Sequence, residues 1–308
     1  MTPAAGHTGK VIVTVAPTGG FLTRAEHPYV PTQPAEIAAD VARCAAAGAS
    51  MAALHARRPD DQATCSGAVY RDINARVRAA CDVVINNSTG GGADGDLLRI
   101  RPDGSRVVDW DARMEGLEGG ADTCTLDAIT AYVSAPGGHE ILMDTPMERA
   151  TELAAAMSER GIKPEWEAFN PSHLVREVAR LTSLGFDTEP YHVNVVLGLH
   201  ENFQNALPYT PSNLHHMVDA LPDGSLCTVT INGPQQFRGL AHALALGAHI
   251  RVGIEDNPCL VPGEPAENAR LVERAVALVQ SIGLEPATPD EARAILGLPA
   301  RKEPAREL

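Results

Sequence analysis

MAALHARRPDD, residues 51–61, runs four small or apolar residues into a histidine, two arginines and an acidic turn. The apolar run is strand-length and reads as a buried strand that surfaces at His55 and delivers Arg57 beyond its end. PAEIAADVARCAAAGA (34–49) before it is helical, with Pro34 in the first turn and Thr32 or Gln33 as the cap. GAVYRDINARVRAAC (67–81) after it is helical too. A strand bounded on both sides by helices is the unit from which parallel sheets are built. His55 is then either a satisfied polar group where the strand surfaces or a member of a site.

Outward from this unit the same rhythm recurs. VIVTVA (11–16), DVVINN (82–87), DTCTLD (122–127), PEWEAF (164–169), YHVNVVLG (191–198), SLCTVTIN (225–232) and HIRVGI (249–254) read as further strands. Helical patterns lie at 148–161, 172–185, near 211–221, 236–247 and 266–282, and residues 97–111 read as irregular. TPDE (288–291) is a capping box that opens a final short helix. About eight strand–helix repeats joined by right-handed crossovers predict an α/β protein of the (β/α)8 TIM barrel class. The expectation is one barrel domain over 1–308 with a C-terminal helical extension. A doubly wound open sheet is the fallback, but no GxGxxG follows the first strand.

Composition narrows the function. The chain has 308 residues, 44% of them hydrophobic, and a formal charge of −14, which speaks against nucleic acid as a partner. No apolar run reaches the ~18 residues of a membrane span, and MTPAAGHTGK shows no leader, so the expected location is cytoplasmic. The six cysteines are scattered without a CxxC pair, as in a protein with reduced thiols.

In a barrel of this class the active site lies at the C-terminal ends of the strands. Polar residues fall at nearly every such end. NNSTGGG (86–92) offers backbone N–H groups to an anion, or is simply a turn capped by Ser88. RVGIEDN (251–257) sets Arg251, Glu255 and Asp256 around a glycine: either Arg251 and Glu255 simply form a salt bridge, or Glu255 and Asp256 supply a metal ligand and a base, since adjacent residues on extended chain point opposite ways. Glu165 and Glu167 share the face of one strand, where a carboxylate is costly unless paired or used. His192 reads as structural, His215 and His216 as surface residues, and His200 as facing the site.

Together these pieces resemble the β-keto acid cleavage enzyme family. The resemblance rests on TQPAEIAAD, AGASMAALHARRPDD, the STGG loop, PEWEAF, VLG after the sixth strand, and HIRVGIEDN. It implies a (β/α)8 barrel, commonly a homotetramer, with zinc at the barrel mouth, condensing a β-keto acid with acetyl-CoA to give acetoacetate and an acyl-CoA. By residue matching, His55 and Glu255 would be metal ligands, with Asp256 the base and Arg251 orienting it. Ser88, Gly90 and Gly91 would hold the substrate carboxylate, with Thr125 and Glu167 further along the pocket. The family pattern at the second strand is HxH, and here Ala53 stands at the first histidine. The metal site is therefore expected to be weakened, with His200 or Cys124 as conceivable replacements. Phe21, where relatives acting on an amino-bearing substrate carry a glutamate, implies a substrate without a cationic tail. Arg57, Arg58, Arg99, Arg101 and Arg106 are candidates for a basic rim toward CoA, or ordinary surface pairs. The missing histidine also leaves open a non-catalytic relative that binds a keto acid or CoA ester.

Overall fold

The computed structural model describes residues 9–135 and 138–301; residues 1–8, which carry most of the segment searched for a leader, lie outside them. Eight strands form a closed, all-parallel barrel: β1 Val13–Val15, β2 Met51–Leu54, β3 Val84–Asn87, β4 Thr123–Leu126, β5 Lys163–Ala168, β6 Tyr191–Leu197, β7 Ser225–Ile231 and β8 His249–Val252. Neighbours in sequence are neighbours in the barrel, and β8 pairs with β1. The expected barrel class is the observed one.

Helices α1 Pro34–Ala46, α2 Gly67–Ala80, α3 Trp110–Glu115, α4 Met147–Glu159, α5 Ala179–Ser183, α6 Pro211–Asp219, α7 Gln236–Ala245 and α8 Asn268–Ser281 lie between or after the strands. Gln33 caps α1 in a reciprocal box with Glu36. Residues expected as one α-helix over 172–185 instead open as a π-helix, His173–Val178, before α5. Among the described residues no helix is long and apolar enough to cross a membrane.

Strand alternation separates two cores. Outward side chains such as Val13, Val15, Leu54 and Ile85 pack against Ile37, Val41, Ile73 and Val77 of the helices. Inward side chains are graded along the barrel axis. At the base Ile12, Met51, Val84 and Leu226 form an apolar layer sealed by Ala292 and Leu296 of α9 (Pro289–Leu296), whose Thr288–Glu291 capping box is present as the sequence predicts. Toward the mouth the inward positions become polar: Asn86, Glu165, His192 and Thr228, then Thr125, Glu167, Asn194 and Arg251.

The expectation of an irregular 97–111 is corrected. Leu98–Ile100 and Arg106–Val108 pair antiparallel, and a hairpin after β4, Thr130–Ala135 with His139–Asp144, joins them in a small four-stranded sheet. This sheet is pinned to the loop after β6: Gln204 N–H donates to Tyr132 O (2.9 Å) and Ser134 N–H to Asn202 O (2.8 Å).

Candidate active site

The end of β8 sets the centre of the site. Gly253 has φ of 153°, and a methyl there would overlap the Ala16 carbonyl, so only glycine lets β8 leave the barrel this close to β1. The chain then turns, with Asp256 and Asn257 N–H donating back to Gly253 O (3.1 and 2.9 Å). Glu255 and Asp256 are therefore not on extended chain, and their carboxylates do not diverge. Both come round to Arg251.

Arg251 is buried and spends its guanidinium on three carboxylates. Nε and Nη2 donate to the two oxygens of Asp256 (3.0 and 2.7 Å), Nη2 also to Glu255 Oε1 (2.6 Å), and Nη1 to Glu167 Oε1 (3.3 Å). Four-apart spacing does give the Arg251–Glu255 salt bridge, as one part of this larger cluster. Burial raises the Asp256 carboxyl to about 6, against the opposing charge of Arg251. Burial also pushes Glu255 upward, but Arg251 and His55 outweigh it and hold that carboxyl at about 2. Glu167 goes well above the ordinary range, through burial and the nearby Asp127. Asn194 Nδ2 donates to Glu167 Oε1 (3.1 Å). One cation among several acids thus fixes some charged and leaves others able to carry a proton.

β2 brings His55 to the same place. Its Nδ1 lies 3.1 Å from Gly91 O, an atom that only accepts, so Nδ1 carries the hydrogen there. Nε2 then faces Glu255 Oε1 at 3.4 Å, and Glu255 Oε2 is buried without a hydrogen-bond partner among the described residues. A divalent ion bonded at about 2.0–2.2 Å to each atom would set such ligands roughly 3.3 Å apart. A histidine anchored by its other nitrogen to a carbonyl is also how such ligands are oriented. His55 and Glu255 therefore fit two positions of a metal site. Ala53, two residues earlier on the same face, offers the cavity a methyl. Among the described residues no group of three or more potential ligands converges.

The STGG loop after β3 closes one side. Thr89 N–H donates to Thr125 Oγ1 (2.9 Å) and Thr89 Oγ1 to Thr125 O (2.8 Å), tying the loop to β4. Ser88 and Gly90 line the cavity, while Gly91 turns its Cα toward Cys65 and Leu97 and Gly92 faces the cavity in its place. The cavity is about 670 Å³ and is lined also by Phe21, Thr125, Asp127, Glu167, Arg251 and Asp256. Phe21 sits at its rim, 42% exposed.

Other sequence candidates fall elsewhere. Cys124 is fully buried within β4, and burial pushes its thiol up to about 12, so it offers no thiolate at the mouth. His200 is not among the lining residues; Leu199 and Asn202 of its loop are. Arg57 is buried and donates to the carbonyls of Gly19, Leu22 and Asp61, which makes it a brace for the loop after β1. Arg58 pairs with Asp60 and Asp96, Arg99 with Asp109 and Arg101 with Asp144. Sequence reasoning missed Arg113, which is buried beneath the STGG loop and donates to Thr89 Oγ1 (3.4 Å), Thr145 Oγ1 (2.6 Å) and Asp127 O (3.3 Å). Nothing in WDARME distinguishes that arginine from a surface one.

Compared with known proteins, residues 10–298 match the family model of the beta-keto acid cleavage enzyme. The chain belongs to the β-keto acid cleavage enzyme family. It is 35% identical over 292 residues to the 3-keto-5-aminohexanoate cleavage enzyme of Fusobacterium nucleatum, covering 94% of this chain and 98% of that one. It is 31% identical over 301 residues to the 3-dehydrocarnitine:acetyl-CoA trimethylamine transferase of Rhizobium meliloti, covering 95% and 98%. Among solved structures the apo structure of ObcA matches with a TM-score of 0.65 at 19% identity, over 88% of this chain and 66% of that chain, a likeness of fold. As a family member this chain is an enzyme of β-keto acid cleavage.

Proposed function

We propose that this enzyme condenses a β-keto acid with acetyl-CoA, releasing acetoacetate and the CoA thioester of the remaining acyl fragment. The observation that carries this is the two-oxygen grip of Arg251 on Asp256, beside His55, Glu255 and the Ser88–Gly90 loop in one cavity. The names of the Rhizobium relative and others support acetyl-CoA as co-substrate.

The exchange takes two carbon–carbon steps. Asp256 takes a proton from the methylene between keto and carboxylate groups, and the resulting carbanion attacks the thioester carbonyl of acetyl-CoA. The C–S bond breaks and CoA leaves as thiolate. The thiolate then adds to the original keto carbon, the bond from that carbon to the methine breaks, and its electron pair stays on acetoacetate, which recovers the proton from Asp256. Arg251 orients Asp256 through both oxygens, and Glu167, whose raised carboxyl keeps its proton, faces the same cavity as a hydrogen-bond donor to the developing oxyanion. Ser88, Gly90, Gly91 and Thr125 would position the substrate carboxylate, Gly91 through its place in the loop backbone. Phe21 at the rim suits a substrate without an ammonium group. A divalent cation, zinc by its nitrogen and oxygen donors, would be held by His55 and Glu255 and would supply Lewis-acid stabilisation of enolate charge.

On the same reading the chain forms one barrel domain with α9 as its extension, a homotetramer supported by the family resemblance, and a cytoplasmic enzyme in keeping with six free cysteines. A second reading, a binder of keto acids or CoA esters without turnover, is favoured only by Ala53. The test is acyl-CoA formation from acetyl-CoA and neutral β-keto acids. Asp256→Asn is expected to lower kcat by about 10²–10⁴-fold. Equal rates in both proteins would remove Asp256 from its role, and stabilisation by ligands with no turnover in either would favour the binder.

A further inference from the structure

The cavity has two chemically different sides, and barrel order keeps them apart. Arg251, Glu255, Asp256, His55 and the STGG loop come from β8, β2 and β3, with the loop after β1 between them. Across the mouth the wall comes from β5, β6, the loop after β6 and the hairpin after β4. There Val133, Ile141 and Met143 of the hairpin line the cavity beside Phe169 and Val196, with Phe203 packed against both groups. Val133 and Ile141 are paired across the hairpin, and Phe169 stacks on Phe203 with centroids 4.9 Å apart and planes at 15°. The strands run toward the mouth, so Asp127 and Glu167 lie below this wall, at the strand ends. Above them the polar lining on that side among the described residues is Ser134 and Asn202, both uncharged.

An apolar wall of six side chains, across the mouth from the charged groups, has no role in the bond-making steps. Resting on the cleavage reading above, we propose that it selects the tail of the β-keto acid: an uncharged alkyl or aryl group of roughly four to eight carbons beyond the keto carbon. The substrate carboxylate lies on the Ser88–Gly91 loop and the keto oxygen toward His55 and Glu255, and the tail extends under the hairpin. A tail ending in a carboxylate or ammonium would bring a charge to a wall with no counter-charge, which burial penalises.

The test is steady-state kinetics of the full chain at saturating acetyl-CoA with 3-oxohexanoate, 3-oxooctanoate and 3-oxodecanoate. The controls are 3-oxoadipate and 3-keto-5-aminohexanoate, whose tails are charged. The expected result is kcat/KM rising about threefold to fourfold per added methylene until the wall is filled. Charged tails are expected about tenfold or more below the alkyl acid of similar length. Met143→Lys should reverse that order in favour of 3-oxoadipate. Ile141→Ala, a milder change to the hairpin, should lower kcat/KM for 3-oxooctanoate while leaving the KM of acetyl-CoA unchanged.

Equal or better turnover of charged tails would overturn the inference. So would a shift confined to the KM of acetyl-CoA in both variants, because the wall would then carry the CoA arm while the cleavage reading stands. If no acid is turned over, the cleavage reading fails. Thermal stabilisation by the same acids without acetyl-CoA then judges the wall alone: a Tm shift growing with chain length supports it, and a flat series overturns it.

Discussion

At the scale of single residues, Arg251 decides the character of the site. A buried guanidinium with one carboxylate would be an ordinary structural pair, but here the same group touches Asp256, Glu255 and Glu167. Removing it would leave three buried acids without their cation, which is far more costly than losing one surface pair. HIRVGIEDN makes Arg251, Glu255 and Asp256 legible as neighbours at a strand end, but not their convergence with Glu167 of β5, which depends on the turn after Gly253. Arg113 was not legible, since its partners Thr89, Thr145 and Asp127 are distant in sequence. Ala53 yields a prediction at this scale. With His55 and Glu255 as the proposed metal pair, Ala53→His adds a ligand on the same face of β2. Zinc affinity, measured by competition with a chelator, is expected to rise by about tenfold or more, and to be lost in His55→Ala. An unchanged affinity in both variants would mean that β2 holds no metal.

At the scale of elements, period-two alternation in the strands was the most readable feature. It placed Glu165 and Glu167 on one face of β5, and both point into the barrel rather than into solvent at its end. The hairpin after β4 is hard to read although TAYVSAPGGHEILMD alternates around a turn sequence, because it stands outside the strand–helix repeat that marks the barrel. The π-helix in the first turns of 172–185 is not legible, because its apolar spacing differs too little from that of an α-helix over six residues.

Glu165 and His192 are register partners on β5 and β6, and their titrations oppose each other. Burial lowers His192 from 6.5 to about 3, with His249 and Lys163 adding to it. Its contribution to stability is present above pH 6.5 and is lost as pH falls toward 3. Burial raises Glu165 from 4.5 to about 7 against the pull of Arg251 and Asn86, so its contribution is present below pH 4.5 and is lost as pH rises through 7. Between pH 5 and 6.5, His192→Gln should therefore lose stability relative to wild type as pH rises, and Glu165→Gln should gain it. Each slope is at most about 1.4 kcal/mol per pH unit. Urea unfolding at several pH values checks this; differences from wild type that do not change with pH would contradict it.

At the scale of the whole molecule, the barrel is apolar at its base and polar at its mouth, and α9 closes the base. The repeat count made the barrel legible, and TPDE made the start of α9 legible. The seat of α9 was not, because Leu296 meets Ile12, Met51, Val84 and Leu226 from the far ends of the chain. Leu296→Ala should cost about 2–5 kcal/mol of unfolding free energy and leave kcat unchanged, since the cavity lies at the opposite end. A fall in kcat without a fall in stability would place α9 in the catalytic machinery instead.

If this mouth exchanges one acyl group for another across a new carbon–carbon bond, the acetyl carbons must end up in acetoacetate. The enzyme is incubated with acetyl-CoA labelled with carbon-13 in both acetyl positions and an unlabelled neutral β-keto acid, and the products are read by mass spectrometry. Both labelled carbons are expected in acetoacetate, with an unlabelled acyl chain on the new CoA thioester. Labelled carbon in the new acyl-CoA, or acetyl-CoA recovered intact beside unchanged keto acid, would contradict it.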